Sequence, residues 1–143
     1  MVSKATLQKS VTVSNTISDV AAVCRQILDL AKNNGFSRED IFAIHLAMEE
    51  AFINAVKHGN NADASRNITV DYSIAPDRIE ISVSDEGSGF DYKNLPDPRQ
   101  KQNLQKPSGR GVLLMRSYMD KVKFNETGNS VHMTKYKSAN KDV

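Results

Sequence analysis

The chain has 143 residues, 39% of them hydrophobic and 25% charged, which suits one globular domain with a real core and leaves too little chain for two. Its 19 basic and 17 acidic side chains give a formal net charge of +2 without any basic run, so nucleic acid is not expected as a direct partner. No apolar stretch approaches the ~18 residues of a membrane span, the start MVSKATLQKS has no apolar signal core, and the expected location is the cytoplasm, away from membranes.

In chain order, Leu7, Val11 and Val13 are spaced as on one face of a strand over residues 5–13. Ser14 and Asn15 offer caps for a first helix. Its Ile17, Val20, Ala21, Cys24, Ile27, Leu28 and Ala31 recur at helical spacing and form one stripe. The lone Cys24 has no disulfide partner and reads as a buried core thiol. Asn33, Asn34 and Gly35 end the helix. Ser37, with Asp40 three residues on and Glu39 beside it, resembles a capping box and predicts a second helix to about Lys57, stopped by His58-Gly59-Asn60.

Ile68, Val70, Tyr72 and Ile74 then alternate with Thr69, Asp71 and Ser73, as in a half-buried strand. After Pro76-Asp77 the alternation resumes at Ile79, Ile81 and Val83, so an antiparallel hairpin is expected. From Asp85 to Lys106, glycines, prolines and polar residues predict a long loop of the kind that is usually functional or disordered. Gly109 and Gly111 open a third helix, with Val112, Leu114, Met115, Tyr118 and Met119 at its packing positions. Val122 and Phe124 begin a strand, Thr127-Gly128-Asn129 turns it, and Val131 and Met133 return. Residues 138–143 read as a frayed tail. The sum is an α+β chain: a two-layer sandwich of a mixed, mostly antiparallel sheet with helices on one face, one domain over residues 1–143 with its core at about 5–137.

The second helix raises the question of function. Ile44, Met48, Phe52 and Ala55 gather on one side at about 100° per residue, and Glu50, Asn54 and Lys57 on the other. That other side also carries Ala43, Leu46, Ala47 and Ile53, so it resembles an apolar pocket wall with polar groups set into it. Glu50 and Asn54 lie one turn apart and offer hard oxygen ligands of the kind Mg²⁺ takes; an exposed polar pair on a surface helix is the alternative.

In SDEGSGFD, Asp85 stands at a strand end, where a carboxylate can accept a hydrogen bond from an exocyclic amine such as that of adenine. Gly87 and Gly89 would let the backbone approach a flat ring. A plain Asp/Gly turn is the alternative. The segment is not a dinucleotide fingerprint, because the third glycine is replaced by Tyr92 and no capped helix follows, and no P-loop pattern occurs elsewhere. In SGRGV, Ser108 to Val112, amide groups at a helix start can bind an anion and Arg110 can add charge, or the segment is a capped loop–helix junction.

Taken together, E-x-x-x-N on a helix, D-x-G-x-G-F after a strand and G-x-G opening a later helix resemble the nucleotide-binding boxes of the ATPase superfamily shared by gyrase, MutL-type repair proteins and bacterial histidine kinases, the Bergerat fold. Within it the chain is most similar to the small anti-sigma factor serine kinases of the RsbW and SpoIIAB type, through EEAFINAVKHGN, SVSDEGSGFD, the run from Gly109 to Phe124, and the helix before GFSREDIFAIHLAMEE. The resemblance spans about residues 10–136. It implies ATP and Mg²⁺ as cofactors, Asn54 as the metal ligand, Glu50 as the catalytic base, and Asp85 as the adenine reader with Gly87 and Gly89 beside it. It also implies ATP binding by Lys57, Ser108, Gly109, Arg110, Gly111 and Val112, and a lid over residues 92–107. The implied partners are a sigma factor, a STAS-type anti-sigma factor antagonist and a second copy of the chain, with the first helix and Arg25 at the partner surface. Two departures stand out. The lid lacks the threonine pair some members carry, and Ile53 stands where some have Thr. They leave a non-catalytic, nucleotide-gated binding module as the rival expectation.

Overall fold

Alternating burial builds the centre of the sheet. The computed structural model describes residues 7–60, 63, 65–87 and 110–138. Strands β1 (Leu7–Ser14), β2 (Asn67–Ala75), β3 (Arg78–Asp85), β4 (Lys121–Phe124) and β5 (Ser130–Tyr136) form one sheet in the order β1-β2-β3-β5-β4. All four pairings are antiparallel. Pro76-Asp77 is the two-residue turn that joins β2 to β3, with Ala75 opposite Arg78. One sheet face presents Ile68, Val70, Tyr72, Ile74, Ile79, Ile81, Val83, Val131 and Met133, all buried in the core. The other face is polar and carries cross-strand hydrogen bonds, Ser84 Oγ to Ser130 Oγ at 2.7 Å and Ser82 Oγ to His132 Nδ1 at 2.6 Å.

Helices α1 (Ile17–Asn33), α2 (Arg38–Ile53) and α3 (Arg110–Tyr118) contribute to the same hydrophobic core as the inner sheet face. The cap of α1 is Thr16, whose Oγ1 accepts from the Asp19 amide at 3.3 Å, and not Ser14 or Asn15. Ser14 bonds to the Asp19 side chain instead, and Asn15 is buried for a different purpose described below. The single apolar stripe expected on α1 is split. Val20, Val23, Cys24, Ile27 and Ala31 are buried, whereas Ile17 is 62% exposed and, with Ala21 and Leu28, borders an apolar groove of about 490 Å³ between α1 and α2. Burial, then the charge of Glu49, push the Cys24 thiol up to about 11 against the opposing effect of Arg25, which fits an inert core thiol.

Helix α1 ends in a Schellman turn: Phe36 N donates to Ala31 O at 3.1 Å and Gly35 N to Lys32 O at 3.2 Å, with Gly35 at φ 83°. Ser37 caps α2 as the sequence predicts, its Oγ accepting from the Asp40 amide at 3.1 Å. Asp40, 2% exposed, also fastens the far end of the fold. It accepts from Ser138 N at 2.9 Å and Ser138 Oγ at 2.5 Å, and Lys135 Nζ stands 4.0 Å away. Burial alone would raise its carboxyl, but the Ser138 hydrogen bonds, Lys135 and the Ser37 hydroxyl outweigh it and hold the value below the usual carboxylate range. A depressed carboxyl stabilises the fold above its unfolded value, and that contribution is lost as pH falls through the folded one. Asp40→Ala is therefore expected to lower stability by about 2 kcal/mol at neutral pH. In urea unfolding at successive pH values, the gap from the parent chain should narrow as the solution becomes acid.

Beyond Ile53 the helix does not run on as an α-helix to Lys57. It widens into a π-helical turn, Asn54–Gly59, closed by Asn60 N donating to Ala55 O at 2.8 Å. Among the described residues no helix is long and apolar enough to cross a membrane.

Candidate functional site

Three segments that are distant in sequence meet at the inner side of α2. Helix α3 packs along α2, which carries buried alanines at 43, 47 and 51. The first turn of α3 then comes against Glu50: a Cβ added at Gly111 would lie 2.9 Å from Glu50 Oε2. Glycine at 111 thus leaves the space that the half-buried carboxylate fills. Arg110 is exposed on the same first turn and Val112 is buried beneath it. The free amides at the start of a helix point away from its body along the axis, a direction that favours anions.

One turn on from Glu50, Asn54 begins the π-helical turn. It lines a small cleft together with Ala51, Val83, Asp85, Phe124 and Asn129. The cleft therefore joins the end of α2 to the ends of β3 and β5. Lys57 faces elsewhere: it is exposed and borders the α1–α2 groove with Arg25, His45 and Glu49, so the fold does not gather it with Asn54 and Asp85.

Asp85 is the last residue of β3 and is half-buried. Its amide donates to Asn129 O at 2.9 Å, and its Oδ1 accepts from Gly87 N at 2.8 Å. Burial raises its carboxyl above the ordinary range, against the Gly87 amide and the charge of Arg66. Asn129 Nδ2 donates to Gly87 O at 3.2 Å, so the tip of the β4–β5 turn holds both ends of the Asp85–Gly87 bend.

Gly59 is a site residue that spacing does not reveal. A Cβ there would stand 2.1 Å from Asp85 Oδ2, and a Cβ at Gly87 would stand 1.9 Å from Gly59 O. The π-helical turn and the bend after β3 are therefore in backbone contact, and neither position has room for a methyl group. The sequence did mark Gly87, as part of a glycine loop; Gly59 looked like a helix stop. Of the other predicted site residues, Gly89, Ser108 and Gly109 lie outside the described residues, as does the lid over 92–107.

The donor set suits Mg²⁺ better than an ion caged by protein. Glu50 and Asn54 offer hard oxygens on adjacent turns, while among the described residues no three His, Cys, Asp or Glu side chains lie close enough to hold a metal by themselves. An ion that keeps its waters and takes one or two protein oxygens plus phosphates fits such a place. The arrangement has the parts a nucleotide needs: a carboxylate behind a glycine-lined wall, hard oxygens where α2 passes into the π-helical turn, and a helix start near them.

The family model described as the histidine kinase-like ATPase domain matches residues 13–135. The serine-protein kinase RsbW of Listeria monocytogenes is 36% identical over 114 residues, covering 75% of this chain and 73% of that protein. The serine-protein kinase RsbW of Bacillus subtilis is 31% identical over 114 residues, covering 75% and 71%. Among solved structures, a Mycobacterium tuberculosis chain carrying RsbU and RsbW domains superposes with a TM-score of 0.63 at 19% identity. That match takes in 94% of this chain but about a third of the longer one, 34%, and speaks for the fold alone.

Proposed function

This chain belongs to the histidine kinase-like ATPase family, and we propose that it is an ATP-dependent protein serine kinase of the anti-sigma factor type. It phosphorylates a serine on a STAS-type anti-sigma factor antagonist and sequesters a sigma factor. It works in the cytoplasm as a homodimer, with residues 1–143 forming one domain and the first helix, including Arg25, meeting its partners. The observation that carries the reading is the meeting of Glu50 with Gly111, and of Asn54 with Asp85, around one end of the sheet. The relatives' names as serine-protein kinases supply the class of acceptor.

In this reading Asp85 accepts a hydrogen bond from the exocyclic amine of adenine, Gly59 and Gly87 let the two segments that hold Asp85 pack backbone to backbone, and Gly89 lets the ring lie against backbone. Asn54 would hold Mg²⁺, which when bound neutralises phosphate charge. Ser108, Gly109, Arg110, Gly111 and Val112 bind the phosphates through amides and one guanidinium, whereas Lys57, which borders the α1–α2 groove, takes no part in nucleotide binding. Glu50 accepts the proton of the incoming serine hydroxyl, the role a positioned carboxylate fills in such transfers. The hydroxyl belongs to the partner, so this chain needs no nucleophile of its own.

The test is transfer of labelled γ-phosphate from Mg·ATP to a STAS-type antagonist by the purified chain, read as phosphoserine. If ATP binds and no phosphate moves to any serine, the kinase reading gives way to a nucleotide-gated binding module.

A further inference from the structure

Two buried asparagines hold the proposed base wall from behind. Asn60 is 0% exposed and Asn15 is 5% exposed, so each amide must find its partners inside the protein. Asn60 Nδ2 donates to Asn15 Oδ1 at 3.1 Å and to Asn67 O at 3.0 Å, while its Oδ1 accepts from Glu86 N at 2.8 Å. Asn15 Nδ2 donates to Val56 O at 3.4 Å and Asp63 O at 3.2 Å. Every polar atom of both side chains is used. The pair ties the β1–α1 corner, the π-helical turn, the start of β2 and the bend after β3 to one another.

The bond to Glu86 N acts on the middle of the Asp85–Gly87 bend. Asn129 grips that bend from the solvent-facing turn, and Asn60 holds its central amide from the interior, where Gly59 also packs against it and the Asn67 amide bonds the Glu86 side chain. We propose that Asn60, backed by Asn15, is the positioning residue for base recognition, setting the angle at which the Asp85 carboxylate meets the purine amine. The proposal rests on the adenine reading of Asp85 above. An amide is required because both Nδ2 hydrogens point at oxygens. A carboxylate of the same size would set oxygen against Asn67 O and Asn15 Oδ1 and be driven off both. Its link to Glu86 would move with it.

The test compares the affinities of ATP and ITP, which carries a keto oxygen in place of the exocyclic amine, for the parent chain and Asn60→Asp. The parent should prefer ATP. In Asn60→Asp that preference should shrink by about tenfold, the scale of one lost hydrogen bond to a charged group, while Mg·tripolyphosphate binds equally to both. A parent chain that does not distinguish ATP from ITP would sink the adenine reading and the proposal with it. A parent that distinguishes them and an Asn60→Asp chain that does so equally well would sink the proposal alone. Should that variant not fold, the parent's Asn60 side-chain amide signals decide by NMR. They should shift on adding ADP and stay in place on adding tripolyphosphate, and an amide unmoved by bound ADP overturns the assignment.

Discussion

Replacing Glu50 with Ala is expected to lower the rate of phosphoryl transfer by roughly 100-fold or more, the range a positioned general base contributes. Nucleotide affinity should stay within about threefold, since less than a kcal/mol of binding is at stake when no ligand contact is removed. The fold should tolerate the change. Glu50 sits in the body of α2, where Ala is the best helix former, and its carboxylate is half-buried against Gly111 without being part of the core. The measurement is single-turnover transfer to the antagonist at saturating Mg·ATP, with ADP binding measured separately. Transfer at the parent rate would remove Glu50 from the base role. A loss of nucleotide binding of the same size as the loss of rate would make it a binding residue.

Gly87→Ala should act on the opposite half of the reaction, weakening nucleotide binding before chemistry begins. The new Cβ would lie 1.9 Å from Gly59 O and 2.7 Å from Gly59 C. Both are backbone atoms of the π-helical turn, so relief requires the two segments to part. Overpacking of this kind costs about 1–3 kcal/mol. Parting also swings Asp85, whose Oδ1 is tied to the Gly87 amide. The expected result by titration calorimetry is at least a tenfold loss of ADP affinity, the equivalent of about 1.4 kcal/mol. ADP binding at the parent level would mean that the wall can open freely and that its close packing has no part in recognition.

How much of this was legible beforehand follows from which interactions are local. Period-two alternation placed β2 and β3, and helical spacing placed α1 and α2, because those patterns are one-dimensional traces of a buried face. The Ser37 cap was readable because its partner, Asp40, is three residues away. Asn15 and Asn60 were not. They bond to each other across 45 residues, and each carries a local signature, cap or helix stop, that fits a commoner use. Gly59 was hidden for the same reason: the demand for glycine comes from Asp85 across the fold. The α1 stripe is only partly core because the helix also lines a groove: Val20, Cys24 and Ile27 are buried, while Ile17, Ala21 and Leu28 stay at the groove that Val20 and Cys24 also border. At the site, Glu50, Asn54, Asp85 and Gly87 were marked from motif spacing, and the fold adds which of them face one another.

The sheet order bears on how the protein is made. β3, which ends in Asp85, pairs on one side with β2 but on the other with β5, which is synthesised about 50 residues later. The Asp85 amide likewise waits for Asn129. A nascent chain that has already produced α1, α2 and the β2–β3 hairpin still lacks one wall of its cleft. Because most of the missing contacts join residues about 50 positions apart, closing them is a late and comparatively slow event. A nucleotide therefore has no finished pocket to select until β5 has been made, and its binding would stabilise chains that include β5 over shorter fragments.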